Sequence, residues 1–379
     1  MGRFSTSETV PYDQSPQWQA QTGHLVWQSP NTTNAPQKGT IWSISQPCLS
    51  VMVSVGTMKA ILVSRTGGPE VLEFTDTDAP KPTDDQVLVE VDMAGVNFID
   101  TYYRQGEYHA RLPFIPGFEG TGRVLEDPQG LIVAGTKVAW CDAMGSYAQQ
   151  VCVPRDRLVA VPEGVSSEVA ASMLMQGITA HYLTNGVYEL QEGDSCLITA
   201  GAGGVGLLAT QMAAAKGVRV YSVVSTDEKA ELALDAGAYE VFRYSDNLAE
   251  QVRRHNGGRG VDVVYDGVGQ STFNESLEAV RPRGTVCLFG AASGPVEPFD
   301  PQLLNTHGSI FLTRPSIGAW TSEEGEFAKR AQAVTQAIVE GTLRVRVTGT
   351  YSLADAYLAH RDLQARSTSG SLVLEIPKD

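Results

Sequence analysis

The sequence predicts an α/β protein in two parts: an irregular, β-rich half, and a doubly wound parallel sheet of six strands inserted into it. Three observations predict this. From Ser195 onward, short apolar runs alternate regularly with segments of helical composition. From Met58 to Val161, strand-like runs are instead separated by Gly and Pro breaks. The last strand candidates, Leu343–Val347 and Ser371–Ile376, follow the alternating part and return to the first half.

The β-rich half opens with Lys59–Val63, Leu72–Thr75 and Gln86–Met93, parted by Gly67-Gly68-Pro69 and Pro80-Lys81-Pro82. Phe98–Arg104 is a short helix, and Pro113, Pro116 and Gly117 then break the chain. Strands follow at Gly122–Glu126, Lys137–Trp140, Tyr147–Val153 and Leu158–Val161. Helices at Ser166–Leu174 and Ile178–Asn185 lead to the strand Ser195–Thr199. The alternation then runs through helix Leu207–Lys216, strand Val218–Ser225, helix Glu228–Ala236, strand Glu240–Tyr244 and helix Leu248–His255. Strand Val261–Asp266, helix Thr272–Val280 and strands Thr285–Phe289 and Ser309–Thr313 complete it. In Ser322–Gly341, Phe327, Ala331, Val334, Ile338 and Val339 recur at helical spacing.

Composition sets the outer bounds. At 379 residues, the chain can bury two cores. A net charge of −15 makes it a poor general binder of nucleic acid or anionic membrane. It has no apolar run long enough for a membrane span. Its cysteines, at 48, 141, 152, 196 and 287, are odd in number and scattered, which argues against a disulfide framework or a structural zinc lobe. A reducing compartment, the cytoplasm, is expected. Residues 1–57 are rich in Ser, Thr, Gln and Pro and nearly uncharged, and read as a disordered extension. A start at Met58, where MKAILV opens the first strand, is the alternative.

The chemistry begins at Asp194–Gly206, DSCLITAGAGGVG. A buried strand runs straight into Gly201-x-Gly203-x-x-Gly206 and then into a helix. One glycine permits the tight turn, one lets backbone approach a pyrophosphate, and one lets helix pack on strand. With Gly204 and Val205 completing the loop, the free N–H groups at the helix start would hold phosphates. A site preferring NAD carries an acid about 20 residues further on. Here that place holds Val223, Val224 and Ser225, followed by Thr226 and Lys229. Hydroxyls and a cation suit a 2′-phosphate, so the expected cofactor is NADPH, although Asp227 and Glu228 would weaken such a site.

Several motifs in order carry a family likeness: AGVNFIDTYYRQGEY at Ala94–Tyr108, PGFEGTGRV at Pro116–Val124, QGITAHYL at Gln176–Leu183, AGAGGVG, VVYDGVG at Val263–Gly269 and LTRPSI at Leu312–Ile317. From Met58 onward the chain resembles the zeta-crystallin-type quinone oxidoreductases, zinc-free members of the medium-chain dehydrogenase/reductase superfamily. Zinc-dependent relatives place a Cys in AGxC and a His in GHE, and this chain has Asn97 and Phe118 there. No metal site is therefore expected, since zinc needs a fixed set of N or S ligands.

The resemblance implies a GroES-like catalytic domain at 58–178 and 321–379 around a Rossmann domain at 179–320. It implies that Asn97 faces nicotinamide and substrate, with Tyr102 and Tyr108 lining the quinone pocket. Thr179 would lie near the nicotinamide ribose and carboxamide. Lys229, Tyr244 and Arg366 would surround the 2′-phosphate, and Phe289, Gly290 and Ser293 would pass the nicotinamide. Asp100 reads instead as a helix-capping or salt-bridging acid, and His181 as packed. The implied reaction is NADPH-dependent reduction of a small-molecule quinone by hydride or single-electron transfer. An enone reductase on the same fold is the rival, and a non-catalytic crystallin-like or RNA-binding role the third reading. A homodimer through the edge strand near Ser309–Ile317 is implied as well.

Overall fold

The computed structural model describes residues 56–244 and 247–378, so the predicted N-terminal extension lies, up to residue 55, outside the described residues. The chain begins with an antiparallel pair, β1 (Thr57–Val63) and β2 (Leu72–Asp78). Then come β3 (Gln86–Val96), α1 (Phe98–Gln105), β4 (Glu119–Glu126), β5 (Lys137–Cys141), β6 (Gln150–Pro154) and β7 (Leu158–Ala160). A short α2 (Ser167–Ala170) and α3 (Leu174–Tyr182) lead to the parallel sheet.

That sheet is built from β8 (Ser195–Ile198), α4 (Gly204–Ala215), β9 (Arg219–Val224), α5 (Asp227–Asp235), β10 (Glu240–Arg243) and α6 (Leu248–His255). It continues through β11 (Val261–Asp266), α7 (Phe273–Ala279), β12 (Val280–Leu288), α8 (Gln302–Thr306) and β13 (Phe311–Thr313). The six strands lie in the order β10-β9-β8-β11-β12-β13, all parallel. The chain reverses direction across the sheet between β8 and β11. In open α/β sheets such a switch point leaves a crevice at the carboxyl ends of the strands. β8 and β11 are buried along their whole length, which explains why they read as continuous apolar runs rather than alternating ones.

After α9 (Ile317–Trp320) and α10 (Glu326–Val339), the chain returns to the β-rich half as β14 (Val347–Ser352), α11 (Ala356–Gln364) and β15 (Ser371–Glu375). There the order is β14-β15-β3-β4-β5-β7, with β6 also on β3. α3 and α10 share one core with Phe118, Ala139 and Cys141 from this half and Cys196, Ile198 and Tyr265 from the parallel sheet.

Three expectations need correction. The predicted helices Ser166–Leu174 and Ile178–Asn185 are a four-residue α2, a fresh start at Leu174 and a wide turn at Leu183–Val187. The break has a cause: the carboxylate of Glu119 accepts from the N–H groups of Leu174 and Met175, both at 2.8 Å, and so begins a helix there. Leu343–Val347 is not a strand, because the N–H groups of Thr342 and Leu343 are taken by Ala337 O at the end of α10; the strand starts at Val347. The predicted edge strand at Ser309–Thr313 is only Phe311–Thr313, since Ile310 N bonds back to Leu304 O.

Candidate active site

A cleft of about 1220 Å³ runs between the two halves and crosses the carboxyl end of the parallel sheet. Of the predicted site residues, all but Gly201 and Ser293 line it.

The loop after β8 is built by close approach. A Cβ at Gly206 would stand 2.4 Å from Ala200 O and 2.9 Å from Gly201 Cα. A Cβ at Gly201 would meet Ser222 Oγ at 1.7 Å, so Gly201 supports the loop from behind rather than lining the cleft. α4 is preceded by Gly203 as its N-cap, with neither a side-chain cap nor an acid in its first turn. Its N–H groups and the positive end of its dipole therefore face the cleft and suit a pyrophosphate.

One end of the cleft is cationic. Lys229 and Arg366 share it, and the Lys229 ammonium donates to Arg366 O at 2.6 Å. Burial first, and the Arg366 charge second, hold the lysine below its ordinary pKa. Two cations held together in this way would be relieved by an anion. Tyr244 Oη accepts from Ala200 N–H at 2.8 Å, and burial pushes its pKa to about 12, so the hydroxyl keeps its proton to donate. Asp227, one of the two acids that threatened this site, is drawn outward onto Arg243. Thr226 caps α5 through Lys229 N–H.

The other end is aromatic and amidic. Tyr102 and Tyr108 pack edge to face at 5.4 Å, Tyr103 and Tyr108 at 5.5 Å, and Tyr103 stacks on Phe118 at 4.7 Å. Tyr102 Oη bridges the cleft by accepting from Ala291 N–H at 3.0 Å. Burial raises its pKa to about 12, so it too stays protonated. Thr179 Oγ1 donates to Met175 O at 2.7 Å, which fixes its rotamer at the cleft wall. Gly290 passes close to the end of β11, where its Cβ would come within 2.3 Å of Gly267 O. Ser293 lies off the cleft: its Oγ donates to Val268 O at 2.8 Å and accepts from Ser271 N–H at 3.0 Å, so it ties two wall loops together.

Behind the wall, Asn97 Nδ2 donates to Glu119 Oε2 at 2.9 Å and Gln176 Nε2 donates to Asn97 Oδ1 at 3.3 Å. Ser371 Oγ donates to Gln176 Oε1 at 2.7 Å. Asp100 caps α1, with Oδ2 accepting from Asn97 N–H at 2.7 Å, and His181 is packed against Arg330 at 3.2 Å. Sequence reasoning passed over Gln176, Arg314 and Asp142, which line the cleft. Gln176 and Arg314 lay inside two of the motifs, QGITA and LTRPSI, whereas Asp142 had no motif to mark it.

Where zinc-dependent relatives carry their Cys and His, Asn97 is bonded to Glu119 and Phe118 is stacked on Tyr103. Among the described residues, no three His, Cys, Asp or Glu side chains gather as a metal site.

A β-rich half joined to a six-stranded nucleotide sheet, with a glycine cradle between them, defines a medium-chain dehydrogenase/reductase. Residues 83–163 match the alcohol dehydrogenase GroES-like domain and residues 204–336 the zinc-binding dehydrogenase family. The chain is 39% identical to a quinone oxidoreductase of Pseudomonas aeruginosa, over 83% of this chain and 99% of that protein. It is 35% identical to a 2-haloacrylate reductase of Burkholderia sp, over 83% and 98%. A mycobacterial protein solved in complex with NADPH superimposes with a TM-score of 0.82 at 49% identity, covering 84% of this chain and 99% of that one. The chain belongs to the quinone oxidoreductase family of that superfamily.

Proposed function

We propose that this chain is an NADPH-dependent quinone reductase working in the cleft described above. The observation that carries the reading is the cleft's polarity: paired cations and a phosphate-ready helix start at one end, and an aromatic wall with an amide at the other. NADPH, when bound, supplies reducing equivalents from nicotinamide C4, as a hydride or as single electrons.

The chain's own residues bind, orient and exclude water. Gly203, Gly204, Val205 and Gly206 offer N–H groups to the pyrophosphate. Ser225, Lys229, Tyr244 and Arg366 would hold the 2′-phosphate. Thr179, Phe289 and Gly290, which line the cleft, would flank the reacting ring, while Gly201 and Ser293 keep the loops in place. Tyr102, Tyr108 and Asn97 hold a flat acceptor beside it. Two-electron reduction moves one hydride and one proton, and the Tyr102 hydroxyl can give that proton to the acceptor oxygen. Orientation supplies most of the rate, because a quinone is already electron-poor.

A panel of quinones and short enones with NADPH and NADH tests the reading; oxidation of neither nucleotide by any quinone would overturn it. Lys229→Ala is expected to raise KM for NADPH about tenfold, a loss of about 1.4 kcal/mol, and to leave KM for NADH unchanged. The haloacrylate-reducing relative favours a second reading, reduction of an activated alkene. That reaction forms an enolate and depends more on a proton donor. Tyr102→Phe is expected to slow enone turnover about 100-fold and quinone turnover by less than about threefold.

The same reading makes 58–178 with 321–379 the catalytic domain, which lends Arg366 to the cofactor, and 179–320 the NADPH-binding domain, and it places the protein in the cytoplasm. It also pairs two copies along their β13 edges, where Phe311 is 64% exposed. Light scattering measures that dimer mass directly.

A further inference from the structure

We propose that Glu119 is a positioning residue whose proton state sets the direction of the relay Glu119–Asn97–Gln176–Ser371, and through it whether Asn97 offers the cleft an acceptor or a donor. This rests on the cleft being the site of hydride transfer.

The four side chains are all buried and linked in a single line. With Glu119 ionised, each bond runs one way: Ser371 donates to Gln176, Gln176 to Asn97, and Asn97 to the carboxylate. Gln176 lines the cleft and Glu119 does not, so the Asn97 atom on the Gln176 side is the one presented there. In this state that atom is Oδ1, an acceptor. A proton on Glu119 Oε2 has to be donated, and Asn97 is the group within reach. Half-turns of the two amides then reverse every bond without losing one. The acid donates to Asn97 Oδ1, Asn97 Nδ2 donates to Gln176 Oε1, and Gln176 Nε2 donates to Ser371 Oγ. The cleft now meets Nδ2 with a spare N–H, which can stabilise the negative oxygen formed on a reduced quinone.

The surroundings keep the two states close in energy. Burial pushes the Glu119 pKa up to about 8, and the neighbouring Asp100 carboxyl adds to that. The N–H groups of Leu174 and Met175, with the Asn97 amide, pull the other way. The Cys141 thiol on β5 and the Tyr147 hydroxyl also face Glu119, and burial raises the pKa of each well above its ordinary value, so both stay neutral.

The test is the pH profile of single-turnover hydride transfer from NADPH to 1,4-benzoquinone. In the wild-type protein the rate is expected to fall about tenfold or more as pH rises through about 8. Glu119→Gln carries a permanent donor where the protonated acid has one. Its profile is expected to be flat and level with the wild-type low-pH limb. A flat wild-type profile, or the same step surviving in Glu119→Gln, would overturn the relay and, in the second case, assign the step to another group such as Asp100. Should that variant not fold, NMR of the wild-type protein decides. The side-chain amide signals of Asn97 and Gln176 are expected to titrate with the midpoint of the Glu119 carboxyl carbon, and independent behaviour would sink the proposal. Absence of any quinone turnover at every pH would instead tell against the reductase reading itself.

Discussion

Gly206→Ala is expected to weaken NADPH binding at least about 100-fold and to lower the melting temperature by less than that loss alone would suggest. The new methyl group would stand 2.4 Å from Ala200 O and 2.9 Å from Gly201 Cα, which are backbone atoms that no rotamer change can move aside. The start of α4 must then lift away from the turn, and its N–H groups leave their places. A displacement of about 1 Å in a positioning element is enough for a loss of that order. Helix propensity moves the other way, since alanine is the better helix former by up to about 1 kcal/mol. Calorimetric titration with NADPH, beside a thermal melt, separates the two effects; wild-type affinity in this variant would refute the cradle as built.

His360→Leu is expected to give the largest loss of stability. Asp100, Arg104, Tyr147 and His360 form a fully buried chain joining α1, the segment before β6 and α11. Its direction follows from chemistry. The Arg104 guanidinium can only donate, so His360 Nδ1 accepts at 3.1 Å. His360 Nε2 therefore carries the proton and donates to Tyr147 Oη at 3.1 Å, whose own hydroxyl donates to Asp100 at 3.1 Å. Leucine leaves Arg104 Nη1 and the Tyr147 oxygen without this partner, at about 1–3 kcal/mol for each buried group. Urea midpoints read the loss, and a wild-type midpoint would refute the account. A pH signature accompanies it. Burial holds His360 at about 3 against an ordinary 6.5, so its contribution is complete above pH 6.5 and fades as pH falls toward 3. That part of the acid slope is expected to vanish in the variant.

The parallel sheet was legible because its strands are buried on both faces and its helices intervene at regular intervals. β8, β9, β10 and β11 lie within a residue or two of their predicted bounds. The glycine cradle was legible because close backbone approach leaves a mark in residue type. The β-rich half was harder. α3 begins where Glu119, 55 residues earlier in the chain, takes its first N–H groups, and nothing local to Leu174 reports that. α11 went unread because two of its inward-facing residues, His360 and Gln364, are polar and look like surface positions until Arg104 is seen between them. Asn97 drew attention through the motif it breaks. Glu119 drew none, because the relay it ends, through Asn97, Gln176 and Ser371, is scattered over most of the chain.

The bridge between Gly203 and Gly370 has a consequence for biosynthesis. Gly370 N–H bonds to Ala202 O at 2.9 Å, and Ser371 begins the strand that lies beside β3. The nucleotide cradle is thus latched by a strand that leaves the ribosome long after the cradle glycines themselves. A nascent chain halted before Gly370 would already hold every cradle glycine, yet would lack the staple that fixes them against the opposite lobe.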